Sequence, residues 1–318
     1  MNINKDTIED ITIYKVISGS QAYGTNNETS DTDIRGIAIV PDKEYYFGFT
    51  KNFEQYLDST SDTQIYDIRK FFNLAAKCNP SVVELLFITK PECILLETKW
   101  SNMIKDNRKH FLSMAAKSTF LGYATDQLKK VKTHRNWLLN PPSHYPIRDE
   151  FGLKIDQSLS YEKLQAMNKL INDGNLKDIN VIEYIKKENE YRNACQYYSQ
   201  YENWVKTRNP KRAELEAKYG YDCKGSLHLC RLLLTGYELI TTGELNVHRH
   251  DADFLISIKN GAWTYDQLMT FATDIENKYN VFYEDKSKWI LPDKPDINFL
   301  NSLCTTIVDE YLKENCSS

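Results

Sequence analysis

An α/β N-terminal region followed by a mostly α-helical second half is the fold class that three features of this 318-residue chain predict. Short apolar runs, Ile11 to Ile17, Ile34 to Val40 and Thr63 to Ile68, are bounded by turn-forming residues and alternate with helical stretches. Helical periodicity then dominates residues 97–106, 108–132, 160–173, 178–208, 211–219, 224–242, 264–278 and 297–313. A proline-rich crossing, Asn140 to Pro146, interrupts these helices, because proline cannot sit inside one. The length allows two domains, and the change in character places the boundary near residue 110, giving 1–110 and 111–318.

Taken in order, residues 7–17 form a short helix or strand leading to a Gly19-Ser20 turn, and 33–41 form a strand ended by Pro41-Asp42. Residues 43–63 mix aromatics with Asp, Ser and Thr, which reads as a loop plus an edge strand. A strand at 63–68 precedes a helix from Arg69 to Cys78, which stops at Asn79-Pro80 because the residue before proline is driven out of the helical region. Ser81-x-x-Glu84 has the form of a capping box opening the apolar stretch Val82 to Ile88, and Thr264-x-x-Gln267 has the same form.

With 41% hydrophobic and 26% charged residues, the composition is that of an ordinary globular protein and excludes disordered and fibrous classes. A formal net charge of -4 excludes a surface that tracks nucleic acid throughout, so any polynucleotide contact is local. Seven scattered cysteines without a C-x-x-C pair indicate neither a disulfide framework nor a zinc cluster. The N-terminus has no apolar signal core, and no run approaches the roughly 18 apolar residues of a membrane span. A soluble, cytoplasmic protein with no membrane partner is expected.

Chemistry concentrates in Gly19-Ser20-Gln21-Ala22-Tyr23-Gly24 and Ser30-Asp31-Thr32-Asp33-Ile34-Arg35-Gly36. Asp31 and Asp33, one residue apart at the mouth of a strand, project from the same side of it, an arrangement that suits a divalent cation. The Gly-Ser turn offers bare backbone N–H groups and a hydroxyl, where a polyphosphate could be held beside the metal. An isolated D-x-D is otherwise simply a polar turn.

A D-x-D opening an apolar strand at a short distance after a Gly-Ser turn resembles the nucleotidyltransferase superfamily that includes DNA polymerase beta. The fuller string is similar to a narrower branch, the RNA-repair-associated, polymerase-beta-like family of bacteria and phages. Asp67-Ile68-Arg69-Lys70-Phe71 with Asn79-Pro80-x-x-x-Glu84-Leu85-Leu86 looks like that family's second block, and Lys224-x-x-x-His228-x-x-Arg231-Leu232 with Glu238-Leu239 and Thr242-Gly243 looks like its third. The resemblance thus covers most of residues 16–260. It implies a mixed-sheet nucleotidyltransferase domain in which Asp31 and Asp33 hold two Mg²⁺ (or Mn²⁺) ions. Gly19, Ser20 and Ser30 would lie on an NTP.

A third carboxylate, usually on a neighbouring strand, completes the superfamily's site. Asp67, near the end of a strand, is the first candidate, although Asp also serves there as the N-cap of the following helix. Glu84 is the alternative, with capping as its simpler explanation; Asp58 and Asp62, in the loop, rank behind both. Lys224, His228 and Arg231 fall on one helical stripe at i, i+4 and i+7, either a solvated face or a phosphate contact. Arg35 either contacts phosphate or pairs with a carboxylate. His248-Arg249-His250-Asp251-Ala252-Asp253 has metal-ligand types, but successive loop residues do not converge on zinc; Asp251 or Asp253 caps the next helix. The basic runs 129–135 and 206–212 are solvated surface or, with Trp137, Tyr145 and Trp204, RNA contacts.

The expected activity is transfer of an NMP from an NTP to a hydroxyl, with an RNA terminus as acceptor and the helical half closing the nucleotide cleft. Protein or small-molecule acceptors, or a non-catalytic nucleotide- or RNA-binding module, are the alternatives.

Overall fold

The computed structural model describes residues 3–28, 30–155 and 157–316. Five strands, β1 (Thr12–Ser18), β2 (Asp33–Ala38), β3 (Gln55–Asp58), β4 (Thr63–Asp67) and β5 (Ile94–Glu97), form one sheet in the order β3-β4-β2-β1-β5. The β2–β4 pairing is parallel and the other three are antiparallel, so the sheet is mixed, and the chain beyond β5 is mostly helical. As expected, β3 lies on an edge.

The 7–17 stretch divides in two. Asn4 and Thr7 form a capping box for helix Lys5–Ile11, and β1 starts at the next residue. Tyr14 and Val16 of β1 and Ile37 and Ala38 of β2 are fully buried, as central strands require. Helix Ile68–Ala76 begins at the end of β4, where the Asp67 carboxylate accepts the Arg69 N–H at 2.9 Å, and it buries Ile68, Phe71, Phe72 and Ala75.

One local expectation does not hold. Ser81-x-x-Glu84 is not a capping box: Asn79 caps helix Pro80–Val83 by accepting the Ser81 N–H at 3.1 Å. Proline suits the first helical position, since its missing donor is one that position leaves unpaired anyway, so the helix starts two residues earlier and Glu84 faces inward.

The chain does not divide at a single cut near 110. Its compact units are the residues up to Val131 together with those from Cys223 onward, and a second unit, Lys132–Asp222. The return at Cys223 has a packing cause. Helix Cys223–Thr242 buries thirteen of its residues, and at Gly236 an added Cβ would lie 2.2 Å from the Tyr279 hydroxyl and 2.5 Å from Phe120 Cβ. Helices Tyr265–Glu284 and Ala115–Leu139 therefore approach this helix as closely as a hydrogen side chain allows.

The second unit contains helices Tyr161–Asn172, Ile179–Thr207 and Pro210–Tyr219. His134, Trp137, Tyr201 and Trp204 stack within it, the two indoles 5.3 Å apart. Buried Glu188 is held by Arg148 and Arg192. Among the described residues no helix is long and apolar enough to cross a membrane.

The Gly236 contact predicts that Gly236→Ala, although favoured by helix propensity, lowers stability by about 1–3 kcal/mol through overpacking. Urea denaturation of the two proteins measures it; an unchanged or raised midpoint would show that the three helices can separate freely.

Candidate functional site

Three loops deliver the site to one end of β1, β2 and β4. Ser18 pairs with Asp33 across β1 and β2, and the chain then turns through Gly19 (φ +66°) into the short helix Gly19–Tyr23. A Cβ on Gly19 would lie 2.2 Å from Asp33 Oδ2, so only glycine lets the turn rest on that carboxylate. Gln21 donates to Thr32 Oγ1 at 2.9 Å, tying the helix to the Asp31 loop.

The third carboxylate at this end is Asp62. Ile34 N–H donates to Asp62 O at 3.0 Å, continuing the parallel β2–β4 ladder one position beyond Ile34 and Thr63. Asp62 adopts φ 45°, which Asp tolerates better than most side chains. Asp58 organises the preceding turn by accepting from the Thr60 N–H and from the Thr60 and Ser61 hydroxyls, which also hold its carboxyl down at about 2. Asp62 is thereby placed in hydrogen-bonding contact with Asp33. Desolvation, followed by Asp62, pushes the Asp33 carboxyl up to about 6, and nearby Asp31 adds to the rise. Asp62 is held below its usual range by that shared hydrogen bond and by Arg35.

Asp33 and Asp62, with Asp31 nearby, offer oxygen donors from two adjacent strands, the kind that hard divalent cations prefer, although the three do not gather their ligand atoms within 4.8 Å of one another. Arg35 is drawn to them, 3.2 Å from Asp62 and 3.8 Å from Asp33, which answers its open assignment with carboxylate pairing. A cavity of about 140 Å³ opens beside them, lined by Ser18, Gly19, Tyr23, Asp33, Arg35, Ser81 and Glu84 among others. It is smaller than the roughly 300–1,000 Å³ of pockets that enclose a whole ligand, so it would receive one end of a larger molecule.

The two residues expected as third carboxylate are otherwise engaged. Asp67 pairs with Ala38 at the opposite end of β2, roughly 16 Å from Asp33 at strand rise, and its carboxylate caps a helix; it cannot join Asp33 on one ion. Glu84 borders the cavity but is 3% exposed, and its two oxygens accept from Tyr23 Oη at 2.8 Å and Arg231 at 2.7 Å. Arg231 also lies 3.9 Å from the Tyr23 ring centroid. Burial pushes the Tyr23 hydroxyl well above its usual range against the pull of Arg231, keeping it a donor.

The predicted basic stripe is therefore not one surface: Lys224 is exposed, His228 half-buried and Arg231 buried against Glu84. Burying a guanidinium requires such a partner, so Arg231 is not free to contact phosphate. Ser30 is engaged with Asn27, and Ser20, the second residue of the short helix, does not line the cavity. His248 packs on Gly24, and Arg249 is buried between Glu238 and Asp251, so the Asp251 side chain binds Arg249 rather than capping its helix.

In the second unit, ligand atoms of His134, Glu216 and Asp222 lie within 4.8 Å of one another. Arg212 already donates to both oxygens of Asp222, and Arg208 lies 2.7 Å from Glu216. The cation that this acidic pair needs is supplied by arginine. The same pairs, with Arg135 donating to Gly220 O at 2.7 Å, turn arginines of both basic runs inward.

This geometry yields two predictions. Glu84→Ala leaves Arg231 buried without a carboxylate and should cost about 3–5 kcal/mol of stability in denaturant melts; a loss below about 1 kcal/mol would show the pair is dispensable. Because the folded pKa of Asp33 lies above its ordinary value, its protonated form stabilises the ion-free fold below about pH 4, and that contribution disappears as pH rises through about 6. Asp62→Asn should weaken this slope in melting temperatures recorded with chelator, and an identical slope in the variant would contradict the pairing.

No solved structure matches the chain. An uncharacterised 38.9 kDa protein of Enterobacteria phage T4, from the nrdC–mobD intergenic region, is 25% identical over 91% of this chain and 94% of its own length. The protein YcgL of Bacillus subtilis is 36% identical over 23% of this chain and 29% of its own. Residues 4–144, which include the Gly19 turn, Asp31, Asp33 and Asp62, match the model of the RNA repair pathway DNA polymerase beta family.

Proposed function

We propose that the protein is a metal-dependent nucleotidyltransferase that moves an NMP from an NTP to an acceptor hydroxyl, with release of pyrophosphate. The observation that carries this reading is the contact of the Gly19 turn with the Asp33 carboxylate, joined by Asp31 and Asp62. A polyphosphate on the turn is then adjacent to three carboxylates. The family description favours an RNA terminus as the acceptor.

Asp31, Asp33 and Asp62 would hold Mg²⁺ or Mn²⁺. Such ions, paired about 3.5–4 Å apart, supply charge stabilisation for the attacking and leaving oxygens of an in-line displacement. The chain's own contribution is positional. Tyr23, fixed to Glu84, anchors the helix that begins at Gly19, and the backbone there receives phosphate oxygens. Arg35 pairs with Asp62 and Asp33 and so restrains both carboxylates.

The test is transfer of label from NTPs carrying radioactivity in the α-phosphate to pooled RNA, with Mg²⁺ or Mn²⁺. Label should appear in RNA with wild type and be lost with Asp31→Ala combined with Asp33→Ala. Asp62→Asn should reduce the rate on the order of 10²–10³, as removal of one transition-state stabiliser does, while Asp67→Asn should stay near wild type. No transfer to any acceptor, including the protein itself by intact mass, would sink the proposal. Metal-independent NTP binding without turnover would favour a binding module.

A further inference from the structure

The loop that follows helix Ala115–Leu139 carries a serine, a histidine and a glutamate hydrogen-bonded in series. Ser143 Oγ lies 2.9 Å from His144 Nδ1, and His144 Nε2 lies 2.5 Å from Glu150 Oε1. We propose that Ser143 is an acceptor hydroxyl for nucleotidyl transfer, receiving an NMP from the transfer site of a second copy of the chain. The inference rests on the reading of the Asp33 site as a nucleotidyltransferase and adds a protein side chain to its acceptors.

The direction of the relay follows from its far end. Glu150 is held on both oxygens, Oε1 by His144 and Oε2 by the Ile147 N–H at 3.2 Å, and these bonds, that of His144 foremost, keep its carboxyl below its usual range. An ionised carboxylate only accepts, so the proton of a neutral imidazole sits on Nε2. Nδ1 is then the acceptor, and the Ser143 hydroxyl donates to it. A nucleophile within hydrogen-bond reach of a base that a third group orients is the arrangement that activates serine.

Local structure holds the three groups together. Pro141, Pro142 and Pro146 restrict the loop, and Tyr145 packs edge-on against Tyr198 of helix Ile179–Thr207, with ring centroids 5.4 Å apart. Glu150 lies in the single turn Arg148–Phe151, which Arg148 ties to buried Glu188.

Exposure decides which reaction the relay suits. Ser143 and His144 are both exposed, and Ser143 does not line the cavity beside Asp33. An enzyme that encloses its own substrate places its nucleophile in a pocket. A hydroxyl that enters the site of another molecule has to stand clear of its own. In the reaction Ser143 Oγ attacks the α-phosphorus of the NTP, an Oγ–P bond forms, and the bond to the bridging oxygen breaks. Pyrophosphate leaves with that electron pair, and the hydroxyl proton passes to His144 Nδ1.

The test mixes two full-length chains with Mg²⁺ and NTPs labelled in the α-phosphate. Ser143→Ala keeps the transfer site, and Asp31→Ala with Asp33→Ala keeps the acceptor. Together they should give the second chain the mass of one NMP, mapped to Ser143 by peptide mass spectrometry, and the second chain alone should stay unlabelled. His144→Ala in the acceptor chain should slow labelling by about 10²–10⁴, as loss of a general base does, and added imidazole should restore part of the rate. Glu150→Gln in the acceptor chain should slow labelling at saturating NTP and leave the half-saturating NTP concentration unchanged. RNA labelling by Ser143→Ala should match wild type. Labelled RNA with unlabelled Ser143 overturns this inference alone, whereas no label on RNA or on Ser143 overturns the proposed function with it. Label on a different residue of the acceptor chain, or an unchanged rate in His144→Ala, also overturns the inference, because the relay would then activate nothing.

Discussion

The buried ion pair of Glu84 and Arg231, with the Tyr23 ring packed on its guanidinium, is the constraint on which the rest of the first unit depends. It joins three parts of the chain far apart in sequence: the short helix after β1, the turn after Pro80, and the helix that begins at Cys223. A buried pair of this kind contributes little beyond what a well-packed apolar cluster would, because desolvation offsets most of the attraction. Its effect is on placement. Glu84 can satisfy Tyr23 and Arg231 together only when the short helix is in one position, and that position fixes where Gly19 meets Asp33.

Asp33 in turn depends on strand pairing. The antiparallel β1–β2 register sets Ser18 opposite Asp33, and the parallel β2–β4 register brings Asp62 beside it. Parallel neighbours present the same ends of both strands together, so loops preceding β2 and β4 deliver carboxylates to one edge of the sheet. The opposite edge receives the ends of both strands, where the Asp67 carboxylate caps a helix. One parallel pairing therefore separates two carboxylates that are both close to β4 in sequence.

The choice between Asp62 and Asp67 shows what local sequence reasoning lacks. Both residues border the same strand, and propensity gives no direction to that strand within a sheet. Ser61-Asp62-Thr63 repeats the Ser30-Asp31-Thr32 form just ahead of β2, and this was the available signal for Asp62. It acquires weight only once β2 and β4 are known to run parallel. The stripe at Lys224, His228 and Arg231 fails for a related reason: periodicity shows that side chains share a helix face but not whether that face meets solvent or Glu84.

By itself the sequence determined the alternation of strands and helices, the turn at Gly19, the pairing of Asp31 with Asp33 and the helical character of the second half. These are local properties, set by turn chemistry, side-chain period and chain breaks within a few residues. Only the tertiary structure decided that Asp62 lies beside Asp33, that Arg231 is buried against Glu84, and that the chain from Cys223 onward packs with the sheet-bearing unit. Those outcomes depend on strand direction, register and burial, which arise when segments distant in the chain compete for the same neighbours. The Gly19 and Asp33 motif thus specified its own turn, and the fold set Asp62 beside Asp33.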